Sequence, residues 1–199
     1  MMRAVVLALA ALCVVASGCS RGNQEDQTPQ SNGGPLVAPE IRPPDVVPQE
    51  EPAVARQQWR AASESARNVT GNLRVSLEGV RGGPVIFAFA TGVTVRAQPY
   101  AEVDADSRSG VGGQSFAAVL AGDPRVHAYL YRVMAEEVAN SAPAGGLCGA
   151  QARTRYMAVS EFVDSSGRWV FKIAAFRGDD PPPSGHDPML CNAYAYTAQ

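Results

Sequence analysis

The chain has 199 residues, 46% of them hydrophobic, with 17 basic and 19 acidic side chains and a formal net charge of −2. That length accommodates one domain of ordinary size. The near-neutral balance excludes charge-driven nucleic-acid binding, which needs a clustered excess of Lys and Arg.

Met1-Met2-Arg3 forms a short positive start, Ala4 to Ala16 is an apolar run, and Ala16-Ser17-Gly18-Cys19 closes it with small residues. The run suits a secretory signal and is too short for a bilayer crossing, which takes roughly 20 residues. The segment resembles a bacterial lipoprotein signal, whose lipobox ends in Gly-Cys after small residues; Ala16 stands where Leu is commonest. The resemblance implies removal of residues 1–18 as a signal peptide, diacylation of Cys19 with palmitate-type chains, and acylation of the new N-terminus. Such chains anchor a protein because burial contributes about 0.8 kcal/mol per CH₂. Ser20, where Asp would direct inner-membrane retention, resembles the outer-membrane pattern of Gram-negative lipoproteins and implies a periplasmic location.

Residues 19–52 lack apolar periodicity and are rich in Gln, Asn, Pro, Gly and acids. They cannot bury enough apolar surface to offset their ordering entropy, so a disordered, lipid-anchored tether is expected. The folded part is expected over 53–199. With Cys13 lost in the signal and Cys19 acylated, Cys148 and Cys191 are left to form a structural disulfide in an oxidising compartment.

Ala55, Trp59, Ala62, Ala66 and Val69 recur at helical spacing, predicting a helix from Pro52 to Val69. Leu73, Val75 and Leu77 alternate with polar residues, and Val85 to Ala90 follows a Gly82-Gly83 turn. A three-residue loop would pair Leu77 with Phe87 and Val75 with Phe89. Val93 and Val95 keep that parity across Gly92, predicting one long kinked strand that Pro99 ends. Residues 101–114 read as a loop, and Ser115 to Leu120 is ambiguous between strand and helix. Asp123-Pro124 followed by Val126, Leu130, Val133, Met134 and Val138 predicts a helix to Asn140.

Thr154 to Phe162 and Trp169 to Ala175 alternate around Asp164-Ser165-Ser166-Gly167, predicting a hairpin that pairs Phe162 with Trp169. Cys191 to Tyr196 makes a last strand. The expected fold is α+β: an antiparallel sheet of about five to six strands with one or two packed helices and one disulfide.

Chemistry is sparse. His127 reads as a histidine at the core edge or surface. His186, Asp187 and Asp179 supply metal-donor types, but Pro181-Pro182-Pro183 hold them apart, so no metal or cofactor is expected. Gly113-Gln114-Ser115-Phe116-Ala117 misses the nucleophile-elbow pattern at its last position and lacks the α/β context. Glu136-Glu137, placed on the predicted helix, read as a solvated face. An enzyme is not expected. Tyr156, Trp169, Tyr194 and Tyr196 are expected near the disulfide, where Arg153 and Arg155 could join them in a recognition patch for protein or glycan. The Pro-rich loop with Ser184, His186 and Asp187 is the candidate exposed ligand-binding loop, since proline lowers the entropy cost of docking.

The C-terminal residues Leu147-Cys148-Gly149, Thr154-Arg155-Tyr156, Lys172 to Phe176, Leu190-Cys191 and Tyr194-Ala195-Tyr196 resemble uncharacterised small envelope proteins of Gram-negative bacteria. The expected function is non-catalytic binding of an envelope protein or glycan by a membrane-anchored module. The alternatives are an envelope hydrolase using His186 and Asp187, and a lysozyme-inhibitor-like protein. For the latter, Ser166-Gly167 and Ser184-Gly185 both lack the Tyr of the Ser-Gly-x-x-Tyr loop found in one such group.

Overall fold

The computed structural model describes Arg56, residues 58–182 and residues 190–198. Cys19, the signal and tether segments, and the loop residues Ser184, His186 and Asp187 lie outside the described residues. Eight antiparallel strands follow one another in chain order and close into a barrel: β1 (Gln58–Ala61), β2 (Leu73–Leu77), β3 (Val85–Phe89), β4 (Val93–Val103), β5 (Ala128–Val138), β6 (Tyr156–Val163), β7 (Trp169–Phe176) and β8 (Leu190–Ala198). This overturns the α+β expectation. Apart from a π-helical turn at Ala66–Thr70, the one named helix among the described residues is the five-residue α1 (Phe116–Leu120).

Two misread segments account for most of the difference. The first is the helix predicted from Pro52 to Val69. Its apolar stripe is mostly Ala and offers little to bury, whereas a strand there closes the barrel: Trp59 pairs with Leu73 on β2 and Ala198 on β8. Tertiary pairing outweighs a weak propensity. The second is the helix predicted from Asp123 to Asn140, which is β5. The β4–β5 register slips between Val133 and Ala135, leaving Met134 as the extra residue of a bulge. The inward set therefore changes parity, from Tyr131 and Val133 to Glu136 and Val138, and that change imitates helical spacing.

The single kinked strand predicted through Gly92 is a hairpin. Gly92 takes φ +94°, its N–H donates to Phe89 O at 3.0 Å, and a Cβ there would stand 2.8 Å from the Ala139 Cβ. Only glycine suits both demands. Beyond the turn, β4 runs through Pro99 to Val103 with a second slip between Pro99 and Ala101.

Both hairpins foreseen in the sequence are present, with different registers. Val75 pairs with Phe87 and Leu73 with Phe89, two residues from the expected match, so the inward faces are unchanged. In the β6–β7 hairpin Phe162 pairs with Val170 and Val163 with Trp169. The Asp164 carboxylate organises this turn by accepting from Ser166 N and Arg168 N, while Gly167 takes φ +78°. The loop is thus three residues long instead of two. This one-residue shift inverts β6: Met157, Val159 and Glu161 face inward, and Ala158, Ser160 and Phe162 face outward.

The barrel interior is filled by side chains. Trp59 and Phe171 lie 5.2 Å apart between ring centroids, Phe87 meets Tyr131 edge-on at 5.6 Å, and Phe89 lies 6.3 Å from Tyr196. Burial raises the pKa of the Tyr131 hydroxyl well above its ordinary value, with Tyr129 and Glu161 adding to the effect. Tyr194 donates to Leu147 O at 2.6 Å, and the Tyr196 hydroxyl shares a 2.7 Å hydrogen bond with Thr70, so both rings bury with their polar tips satisfied.

A second cluster covers part of the outer wall. Ser115 caps α1 by accepting from Ala118 N, and Phe116, Val119 and Leu120 pack on Ala128, Leu130, Ala158, Ala174 and Phe176. The β6–β7 ribbon is consequently buried on both faces, which explains its nearly continuous apolar sequence.

Strand directions sort the connections. The proximal end, where the chain leads into β1, carries the β2–β3, β4–β5 and β6–β7 connections; the opposite end carries the rest and the disulfide. Cys148 and Cys191 are joined as expected, linking the β5–β6 connection to the second residue of β8.

Candidate functional site

Strand pairing aligns Gln98 on β4, Arg132 on β5 and Tyr156 on β6 in one row across the outer wall. Because alternate residues face opposite ways, all three side chains point away from the packed interior. The bulge at Met134 widens the wall beside them and leaves Met134 53% exposed. The result is a groove of about 580 Å³, bordered further by Val133, Arg155 and Asp179.

The groove is held open from both sides. Gln98 donates to Gly82 O at 3.0 Å, fixing its flank to the β2–β3 turn. On the other flank Tyr156 donates to Asp179 O at 3.1 Å and Tyr100 to Pro182 O at 3.2 Å, laying the start of the Pro-rich loop along the wall. The Tyr100 and Tyr156 rings meet edge-on at 6.0 Å. Burial pushes the Tyr100 hydroxyl above its ordinary pKa, so it stays a donor across ordinary pH.

Charge in the groove is mainly cationic. Arg155 stands 3.4 Å from Asp179, and both side chains are well exposed, so this ion pair is weak and exchangeable. Arg96, near the bulge, pairs with Glu78 and reaches the Met134 sulfur at 3.5 Å. Arg132 is exposed and has no acidic partner among the described residues. A guanidinium without a partner, beside an aromatic ring and a second, loosely held guanidinium, suits a planar anionic group such as a carboxylate.

The structure separates other residues that the sequence grouped. Tyr194 lies beside the disulfide, bonded to the Leu147 carbonyl, but Tyr196 is buried inside the barrel, Tyr156 is on the outer wall and Trp169 is at the proximal end, so the four rings do not form one cluster. Arg155 and Tyr156 do come together, and Arg132, Met134 and Gln98 join them unforeseen. A partial signal existed: Tyr129-Leu130-Tyr131 is a run of strand-favouring type, and a strand with Tyr131 inward would put Arg132 outward.

Glu136 does not belong to a solvated face. Its carboxylate accepts from Leu147 N at 2.8 Å, Thr154 N at 2.9 Å and the Thr154 hydroxyl at 2.9 Å, clamping both ends of the disulfide-bearing loop. A Cβ at Gly146 would stand 2.5 Å from Glu136 Oε1, so the clamp requires glycine there. His127 is 54% exposed, with Nδ1 3.2 Å from Asp104 and 3.8 Å from Glu102. Ser115 is occupied as a helix cap. Among the described residues no group of three or more His, Cys, Asp or Glu side chains is placed to hold a metal ion. No protein-family model matches the chain, and no curated protein or solved structure is significantly similar to it.

Proposed function

We infer that the protein is a non-catalytic binding module of the bacterial cell envelope, anchored through acyl groups on Cys19 and facing the periplasm, and that its outer-wall groove engages a carboxylate-bearing protein or glycan. The observation that carries the groove reading is the exposed Arg132 guanidinium beside Tyr156 and the exchangeable Arg155–Asp179 pair. The envelope reading draws its support from the Ala16-Ser17-Gly18-Cys19 pattern and from a structural disulfide, which persists in oxidising compartments. An interior filled with aromatic rings favours recognition from the outside of the barrel.

Two measurements test this reading. Radiolabelled palmitate should enter the mature chain and be lost on Cys19→Ser; an unlabelled native chain removes the anchor. A glutamate-rich peptide and a uronate oligosaccharide, titrated separately at low salt, supply the protein and glycan arms. At least one should shift the Arg132 and Arg155 side-chain resonances, weaken with added salt, and cease to bind after Arg132→Glu with Arg155→Glu. Failure of both probes, or binding indifferent to the double charge reversal, refutes the groove assignment.

A further inference from the structure

Toward the proximal end of the barrel, and on the opposite face of the wall from the groove residues, a carboxylate points inward. Glu161 pairs with Phe171 in the β6–β7 register, and both face the interior. Its side chain is only 6% exposed, yet neither carboxylate oxygen accepts a hydrogen bond. A buried acceptor without a donor is costly and is rare in native structures. Two pairs nearer the turn, and so on the same face of the sheet, Trp169 stands at the rim with its ring face against Arg56. An inward carboxylate beside a half-buried aromatic ring at the rim is the pairing that recognises a guanidinium, by charge from one side and by the ring quadrupole from the other.

The chain supplies such a group itself. Arg56 Cζ lies 3.8 Å from the Trp169 ring centroid, a full cation–π contact. The other half of the match is incomplete: Arg56 Nε is 3.7 Å from Glu161 Oε1, beyond hydrogen-bond distance, and Nε has no acceptor. Arg56 therefore stacks but does not fork. It also precedes the first paired residue, Gln58, so its side chain can leave without breaking a strand pair.

We propose that the proximal end of the barrel is a guanidinium-binding site, held in cis by Arg56 as an imperfect occupant and open to exchange with an arginine side chain of a partner protein. Among the described residues the ionisable groups on the inward faces around Glu161 are Arg56, from the segment leading into β1, and Tyr129 and Tyr131 from β5; the neighbours Phe171 and Trp169 on β7 carry no charge. Burial pushes the Glu161 carboxyl up to about 7 against the opposing pull of Arg56. An incoming guanidinium must bind the ionised form, so its affinity rises with pH through that region.

The test titrates ethylguanidinium into the full-length protein and reads the Trp169 indole resonance. In the unaltered chain excess ligand should displace Arg56 and shift that resonance. Arg56→Ala should bind about tenfold more tightly or better, because the internal competitor is gone. Adding Glu161→Gln should abolish binding, and affinity should increase from pH 6 to pH 8. Arg56→Gln, which keeps an aliphatic stem over Trp169, is the second variant should Arg56→Ala not fold. Ethylammonium should bind more weakly, since it lacks the planar fork. The proposal is overturned by an absence of saturable response in the unaltered chain and the Arg56 variants, by binding that survives Glu161→Gln, by pH-independent affinity, or by equal affinity for ethylammonium.

Discussion

Glu161→Gln isolates the thermodynamic consequence of one buried carboxyl. In the folded barrel this group is pushed from an ordinary value near 4.5 up to about 7, chiefly by burial, with Arg56 pulling the other way. The folded chain therefore holds this proton more tightly than the unfolded chain does. The resulting stability is fully present below about pH 4.5 and is lost as pH rises through 7. At 1.36 kcal/mol per pKa unit, the change amounts to at most about 3 kcal/mol between pH 4.5 and pH 8. Gln cannot ionise, so the variant should lack this loss while keeping a polar group of similar size. Urea denaturation at closely spaced pH values, analysed at constant m, measures the difference. Relative to their values at about pH 4, the native curve should fall away from the Glu161→Gln curve between pH 4.5 and 7 and keep a constant deficit above pH 7. Parallel curves, within about 0.5 kcal/mol across the range, would refute the burial argument. Arg56→Gln removes the opposing charge and should move the alkaline loss of stability to higher pH.

Three further outcomes follow from the packing. Replacing Cys148 and Cys191 with Ser should cost about 4 kcal/mol by the chain-entropy relation for their 43-residue separation, read as a lowered urea midpoint. Glu136→Ala strands the Leu147 and Thr154 N–H groups; a loss of roughly 2–4 kcal/mol is expected, with faster amide exchange confined to the 145–154 loop. Phe116→Ala should cost about 3–5 kcal/mol and raise proteolysis of the β4–β5 connection while the interior aromatic contacts persist, since Phe116 packs only on the outer wall.

What could be read from the sequence depended on whether a segment buries one face in unbroken alternation. Leu73 to Leu77 and Val85 to Phe89 do so, and their inward faces were legible even though the register was two residues off. The disulfide was legible because Cys148 and Cys191 were the two cysteines left to pair once Cys13 was read as part of a signal and Cys19 as an acylation site. β5 was not, because the extra residue Met134 breaks period two in the middle of the strand. β1 was not, because it buries a single large side chain, Trp59, and is otherwise defined by backbone pairing to β2 and to the distant β8. The β6–β7 error had the largest functional cost: a turn one residue longer than assumed hid Glu161 among the outward residues. The information was present in Asp164 to Gly167, where an Asx-type turn closed by a glycine at positive φ specifies three loop residues. Of the groove, Arg155 and Tyr156 were legible as neighbours; Arg132 was lost with β5.

The four residues of β1 complete a ring whose other members are mostly far longer. They contribute two paired positions to β2 and three to β8. Any pull transmitted along the chain from its upstream side reaches these five pairs before any other strand pair. Detaching them would turn a surface without borders into one with two raw margins, one of them the nine-residue β8 with its unmet N–H and C=O groups. The zipper that seals the cylinder is thus also its rip-line, and Arg56 over Trp169 is the stitch at its tip.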